Sequence, residues 1–224
     1  MEAGETTTVD LTLTAELAVL GDVVSGDRVD GETRYDTAAE LSEEVVDPDI
    51  DVAYVATGEN SADALAGGVA AGVDAAPVLL ATADALPEAT SDELDRLEPE
   101  RIAVLGGESA IGADVEDELA DHTDGTVDRL AGADRYQTAA DVADELDEPT
   151  GAFVATGEDY ADALGAGAVA GTVNAPVLLT SSEELPEATG DALDGLAPET
   201  IVVMGGEEAV NTDVAEAVQS YVAD

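Results

Sequence analysis

The feature that most constrains the fold of this chain is that its sequence is written twice. Arg34-Tyr35-Asp36-Thr37-Ala38-Ala39 returns as Arg135-Tyr136-Gln137-Thr138-Ala139-Ala140, and Ala56-Thr57-Gly58-Glu59 returns as Ala155-Thr156-Gly157-Glu158. Ala62-Asp63-Ala64-Leu65 is repeated by Ala161-Asp162-Ala163-Leu164, and Ala76-Pro77-Val78-Leu79-Leu80 by Ala175-Pro176-Val177-Leu178-Leu179. Leu86-Pro87-Glu88-Ala89-Thr90 and Gly106-Gly107-Glu108 have partners in Leu185-Pro186-Glu187-Ala188-Thr189 and Gly205-Gly206-Glu207. The offset stays near a hundred residues throughout. Repeated side chains at a constant offset fill repeated places, so both halves are expected to fold alike.

Within one copy, short apolar runs alternate with helical stretches. Residues 52–55, 78–80 and 102–105 are bounded by turn residues, the pattern of strands buried on both faces. Residues 37–46, 62–72, 87–97 and 113–119 read as helices. Pro87 suits a helix start, where a missing N–H costs little. Ser61 and Asp159 stand at corresponding places as N-caps. The alternation predicts an α/β fold of two tandem Rossmann-like units, each a parallel sheet with helices on both faces. The expected divisions are an N-terminal extension over 1–27, a first repeat over 28–121, a linker over 122–128 and a second repeat over 129–224. In the extension, Val9, Leu11 and Leu13 alternate with polar residues, which predicts an added strand at a sheet edge or against another subunit.

Charge narrows the function. Fifty-three acidic residues face six arginines and no lysine, a net of −47. The acids are spread between apolar runs and not gathered in a tail, so they belong to solvated faces of a folded chain. Self-repulsion on that scale is screened only at high ionic strength, where the screening length falls to about 3 Å at 1 M. Adaptation to multimolar salt is the expectation. No basic stripe exists for nucleic acid. With no cysteine, disulfides and thiolate metal sites are excluded, and no apolar run is long enough to span a membrane. The acidic start Met1-Glu2-Ala3-Gly4-Glu5 lacks the pattern of a signal peptide, as in a processed or trimmed chain or a cytoplasmic one.

Catalytic signatures are absent from the pattern. Gly165-Ala166-Gly167-Ala168-Val169-Ala170-Gly171 resembles a dinucleotide loop, but its spacing is wrong and it falls inside a predicted helix. Tight helix packing explains it better. The single histidine, His122, sits in a polar connector and reads as a surface loop residue. No nucleophile elbow, phosphate loop or calcium loop occurs. No catalytic residue, cofactor or metal is assigned. The arginines are more informative: Arg28 pairs with Arg129 and Arg34 with Arg135, whereas Arg96 and Arg101 become Gly195 and Thr200. Arg34 and Arg135 are expected either to pair with a carboxylate such as Asp63 or Asp162 or to capture an anionic ligand.

Taken in order, these motifs resemble the cell wall-binding repeat 2 family, tandem modules that attach surface-layer proteins to bacterial envelopes. The residues that carry the likeness are Arg129-Leu130-Ala131-Gly132-Ala133-Asp134-Arg135-Tyr136-Gln137-Thr138-Ala139, Ala155-Thr156-Gly157, Tyr160-Ala161-Asp162-Ala163-Leu164, Ala175-Pro176-Val177-Leu178-Leu179 and Val203-Met204-Gly205-Gly206. Gly31-Glu32-Thr33-Arg34-Tyr35 and Val104-Leu105-Gly106-Gly107 begin and end the same series in the first copy. The resemblance implies a non-catalytic module at the cell surface that binds an anionic envelope polymer without a covalent bond. Family chains typically carry three repeats, with the polymer in grooves between them. This chain has two, so a homo-oligomer or a partner supplying a third repeat is expected. The acidity looks like that of a halophilic archaeon's version, whose ligand would be an envelope polysaccharide or glycoprotein.

Parallel sheets place ligands beyond the carboxyl ends of their strands. The candidate ligand residues are therefore Thr57, Gly58, Gly106 and Gly107 in the first unit, with Arg34, Tyr35 and Asp63 beside them. In the second unit they are Thr156, Gly157, Gly205 and Gly206, with Arg135, Tyr136 and Asp162. On the plainer reading, glycine ends strands there and threonine caps helices. A self-assembling structural subunit and a nucleotide- or sugar-processing enzyme remain as alternative functions.

Overall fold

The first helix begins three residues earlier than its spacing indicates, because Thr33 starts it. Its hydroxyl accepts N–H bonds from Tyr35 (3.2 Å) and Asp36 (3.4 Å), and the Asp36 carboxylate accepts the Thr33 N–H at 2.8 Å. This reciprocal cap opens α1 (Arg34–Val45) and so puts Arg34 and Tyr35 in its first turn. The computed structural model describes residues 28–59 and 62–223. The strand expected around Leu11 and the N-cap expected at Ser61 lie outside them.

From α1 the chain continues through β1 (Val52–Thr57), α2 (Ala62–Val73), β2 (Val78–Ala81), α3 (Glu88–Leu97), β3 (Arg101–Leu105) and α4 (Ala113–Leu119). Then come β4 (Thr126–Leu130), α5 (Arg135–Ala143), β5 (Gly151–Thr156), α6 (Tyr160–Ala170), β6 (Val177–Thr180), α7 (Glu187–Leu196), β7 (Thr200–Val203) and α8 (Thr212–Gln219). Pro87 is the extended residue before α3, and Pro186 does the same for α7. Asp159 caps α6 as expected, accepting the Ala161 N–H at 3.1 Å.

Among the described residues all strand pairs are parallel. One sheet has the order β2-β1-β3-β4 and the other β6-β5-β7. β4 is the departure from expectation. Residues 126–128, expected as linker, open a strand that lies along β3 from Arg101 opposite Thr126 to Leu105 opposite Leu130. Gly125 admits it: a Cβ there would sit 1.7 Å from the Glu100 carbonyl oxygen. Thus the residues leading into the second repeat complete the sheet of the first.

Side chains alternate across each sheet. Ala53, Val55, Ile102 and Val104 face α3 and α4, packing on Leu94, Leu97, Val115 and Leu119. Val52, Tyr54, Ala56 and Leu105 face the opposite way, onto Val69 and Ala70 of α2. That inner core runs on without a break through Ala139 and Val142 of α5 to Ala155 and Leu179 of the second sheet and Ala166 of α6. A third cluster, around Val154, Leu178, Leu193, Val214 and Val218, covers the second sheet's outer face. The two units therefore share their central layer of helices. Fully buried Leu and Val side chains of this kind contribute about 1.5–3 kcal/mol each. The glycine-rich stretch of α6 packs through its alanines, Ala163, Ala166 and Ala170, whereas side chains added at Gly165 or Gly167 would meet open space.

Candidate functional site

The Arg-Tyr pair of each repeat is held by local geometry. In the second unit the Asp134 carboxylate caps α5 by accepting N–H bonds from Tyr136 and Gln137, both at 3.0 Å. The Thr138 hydroxyl accepts the Gly132 N–H at 3.2 Å and donates to the Asp134 carbonyl at 3.1 Å. Thr37 does the same for Gly31 and Thr33 in the first unit. These turns aim the arginines at the ends of the neighbouring strands. Arg34 donates through Nη1 to the Gly58 carbonyl, and Arg135 to the Gly157 carbonyl. The Tyr35 and Tyr136 rings lie so close that a Cβ at Gly58 or Gly157 would approach them to 2.6 and 2.9 Å. Burial, and then the nearby Glu158 charge, push the Tyr136 hydroxyl above its ordinary value.

For Arg135 this corrects the expected carboxylate pairing. Among the described residues, Arg135 makes no ion pair with Asp162, because its fork is turned to the backbone of the strand end. Asp162 lies instead over the glycine turn after β7, where a Cβ on Gly205 would be 2.7 Å from its Oδ2. The Asp63 side chain is outside the described residues. The threonines at the strand ends are committed as well. Thr57 and Thr156 are buried and accept the N–H groups of Glu59 and Glu158 at 3.2 Å. Thr180 donates into the turn before α7.

Thr57, Gly107 and Arg135, drawn from both repeats, come together in a cleft of about 340 Å³ between the units. Glu59 and Ser109 on one side and Asp134 and Thr138 on the other complete its wall. Gly106 shapes the turn, with φ of 94°. Gly107 does neither that nor packing: nothing lies within 4 Å of a Cβ built there, so a side chain would project into free space. Arg34, Tyr35, Gly205 and Gly206 are not part of this cleft. Glu59, Ser109, Asp134 and Thr138 were not singled out in the sequence. The Gly132-to-Thr138 spacing is the signal that places the last two.

The cell wall binding domain 2 (CWB2) pattern matches residues 28–116 and 129–215. The chain belongs to the CWB2 family. It is 29% identical over 212 residues to the amidase enhancer of Bacillus subtilis (strain 168), a match covering 94% of this chain and 29% of that protein. It is 27% identical over 187 residues to the N-acetylmuramoyl-L-alanine amidase LytC of the same organism, covering 84% of this chain and 37% of LytC. The chain thus spans about a third of these relatives' length. Among solved structures it is similar to Cwp8 from Clostridium difficile, with a TM-score of 0.79 and 29% identity over 92% of this chain and 36% of Cwp8. For Cwp6 from the same organism the TM-score is 0.79, with 26% identity over 87% of this chain and 31% of that one. Both CWB2 matches contain the Gly-x-x-Arg-Tyr-x-Thr turn, and the cleft lies where they abut.

His122 differs from expectation. Its side chain is only 11% exposed, with Nδ1 2.7 Å from the Asp95 carboxylate and Nε2 3.4 Å from the Ser91 hydroxyl. Gly190 and Tyr221 occupy the corresponding places in the second CWB2 unit, and the Tyr221 hydroxyl fills the space a Gly190 Cβ would take. The volume is kept between the units while the chemistry changes, which marks a packing pair. Among the described residues no helix is long and apolar enough to cross a membrane.

Proposed function

We propose that this chain is a non-catalytic cell-surface module, working in high salt, whose inter-unit cleft binds a hydroxyl-rich envelope polysaccharide or glycoprotein glycan. The observation that carries the reading is the joining of Thr57, Gly107 and Arg135 from two repeats in one polar cleft. Glu59 and Asp134 offer carboxylate oxygens to sugar hydroxyls, and the Arg135 guanidinium offers donors beyond the one used by Gly157. A polyanion fits less well, since two carboxylates against one guanidinium in a chain of net −47 repel it. Membership in a cell wall binding family supports the envelope as the place of binding.

Gly107→Leu tests this with little disturbance of the backbone, because a Cβ there has nothing within 4 Å. Co-sedimentation with isolated envelopes at multimolar salt should fall about tenfold or more in affinity, a loss of about 1.4 kcal/mol, with an unchanged circular dichroism spectrum. Unaltered sedimentation of the variant sinks the cleft as the binding site.

A further inference from the structure

Arg129 is not among the residues that line the cleft, yet it touches the supports of both walls. On β4 it stands opposite Val104 of β3, and strand alternation turns its side chain toward α4, where it is only 17% exposed. All three guanidinium nitrogens are engaged there. Nη1 donates to the Gly106 carbonyl at 2.6 Å and Nη2 to the Ile111 carbonyl at 3.0 Å. Nε and Nη2 also donate to the Glu116 carboxylate, at 3.0 and 2.6 Å. On the opposite face of the same strand, Arg101 bonds Asp128 at 3.0 Å, so the guanidinium projects from a strand that is itself held.

Gly106 and Ile111 are the two ends of the turn that supplies Gly107, Ser109 and Ala110 to the cleft. Between these ends the turn closes on itself, the Ala110 and Ile111 N–H groups donating to the Gly107 carbonyl at 2.8 and 3.1 Å. It leaves β3 through two glycines, the residues with the greatest backbone freedom. The ladder ends where the turn begins, with the Gly106 N–H donating to the Leu130 carbonyl at 2.9 Å. Beyond that bond, the hydrogen bonds that join the turn to β4 among the described residues are those of Arg129. The opposite wall starts just past the same strand, at Gly132, and runs through Asp134 to Arg135. One side chain thus grips both ends of one wall, and its own strand leads into the other.

We propose that Arg129 is a positioning residue, which sets the width of the cleft by holding the 106–111 turn at a fixed distance from the 132–135 segment. A planar fork reaches two carbonyls and a carboxylate at fixed angles, whereas the single nitrogen of a lysine cannot span all three. A residue that merely satisfied an ion pair would depend on Glu116. A positioning residue depends on the fork, because loss of the Glu116 charge leaves both carbonyls bonded. The consequence for envelope binding rests on the cleft being the binding site; the effect on cleft width does not.

The chain has no cysteine, and Ser109 and Ala133 are exposed on facing walls. A Ser109→Cys, Ala133→Cys variant therefore carries a pair of nitroxide spin labels whose separation, read by pulsed electron paramagnetic resonance in multimolar salt, reports the width. The labelled chain should give one narrow distance distribution. Arg129→Lys in that background keeps the charge and should broaden the distribution with an unchanged circular dichroism spectrum, while Glu116→Gln should leave it narrow. A narrow distribution in Arg129→Lys overturns the proposal, and so does a broadening in Glu116→Gln equal to that in Arg129→Lys. Unlabelled Arg129→Lys should also sediment with isolated envelopes about fivefold more weakly, since the turn must be ordered anew on binding. If the labels respond as expected while Gly107→Leu and Arg129→Lys both sediment like the parent, Arg129 positions the cleft and it is the cleft's role in envelope binding that fails.

Discussion

Tyr54 shows how single residues tie the inner core to its rim. It is fully buried on β1, and its hydroxyl donates to the Asp74 carboxylate at 2.7 Å. Burial first, and then that carboxylate, raise the hydroxyl well above its ordinary value of 10.0. A group held neutral in this way leaves stability flat below the unfolded value of 10.0. As pH rises above it, the unfolded chain ionises and the folded one resists, so stability falls by up to about 1.4 kcal/mol per pH unit. Tyr54→Phe should cost about 1 kcal/mol near neutrality and show a shallower alkaline decline. Urea melts of both proteins across that range check the sign; parallel curves would refute it. At this scale the sequence was only half legible. The doubled Arg-Tyr motif announced a geometric demand on Arg34 and Arg135. That Arg34 and Arg135 reach the Gly58 and Gly157 carbonyls, and that Arg135 does so in place of Asp162, depends on which way a guanidinium turns, and residue spacing does not encode that.

Elements were legible wherever hydrophobic period and punctuation agreed. The Leu-Pro-Glu-Ala-Thr motif is a good case: its proline stops at the helix entrance, and its threonine goes inside. Thr90 and Thr189 are fully buried at 0% exposure and donate to the carbonyls of Leu80 and Leu179 at 2.6 and 2.5 Å, stitching α3 to β2 and α7 to β6. Thr189→Val keeps the shape and orphans a carbonyl, so a loss of about 1–2 kcal/mol is expected in chemical denaturation. β4 was the element that reading missed. Thr126-Val127-Asp128-Arg129-Leu130 carries too little apolar character to look like a strand, because its polar residues serve the neighbouring unit. Arg101 bonds Asp128 at 3.0 Å and Glu145 at 2.6 Å across the same seam. Arg129→Gln unpairs Gly106, Ile111 and Glu116 at once. It should lower stability by about 2 kcal/mol.

At the scale of the whole molecule, the units share a core, while the surface carries a net charge of −47. The arginine ion pairs among the described residues are those of Arg96, Arg101 and Arg129, far too few to offset 53 acids. The inner core is also lean, since much of it is alanine and valine. Burial scales with area, so such a core contributes less per residue than one of leucine and phenylalanine. Repulsion therefore acts on a modest reserve of stability, and in the high-salt setting proposed for the chain the solvent's ions suppress it. At 0.1 M salt the screening length is about 10 Å, long enough for neighbouring carboxylates to repel; at 1 M it is about 3 Å. Transfer from multimolar salt to dilute buffer should lower the thermal midpoint steeply and then unfold the chain, as followed by circular dichroism. Screening depends on ionic strength and little on ion identity, so sodium and potassium chloride should restore the fold to similar extents. Loss should begin where the units meet, because Glu59 and Asp134 face each other across the cleft with Arg135 as its one cation. Envelope binding should then disappear at a higher salt concentration than helical signal does, and coincident loss of the two would show that the cleft is no weaker than the rest.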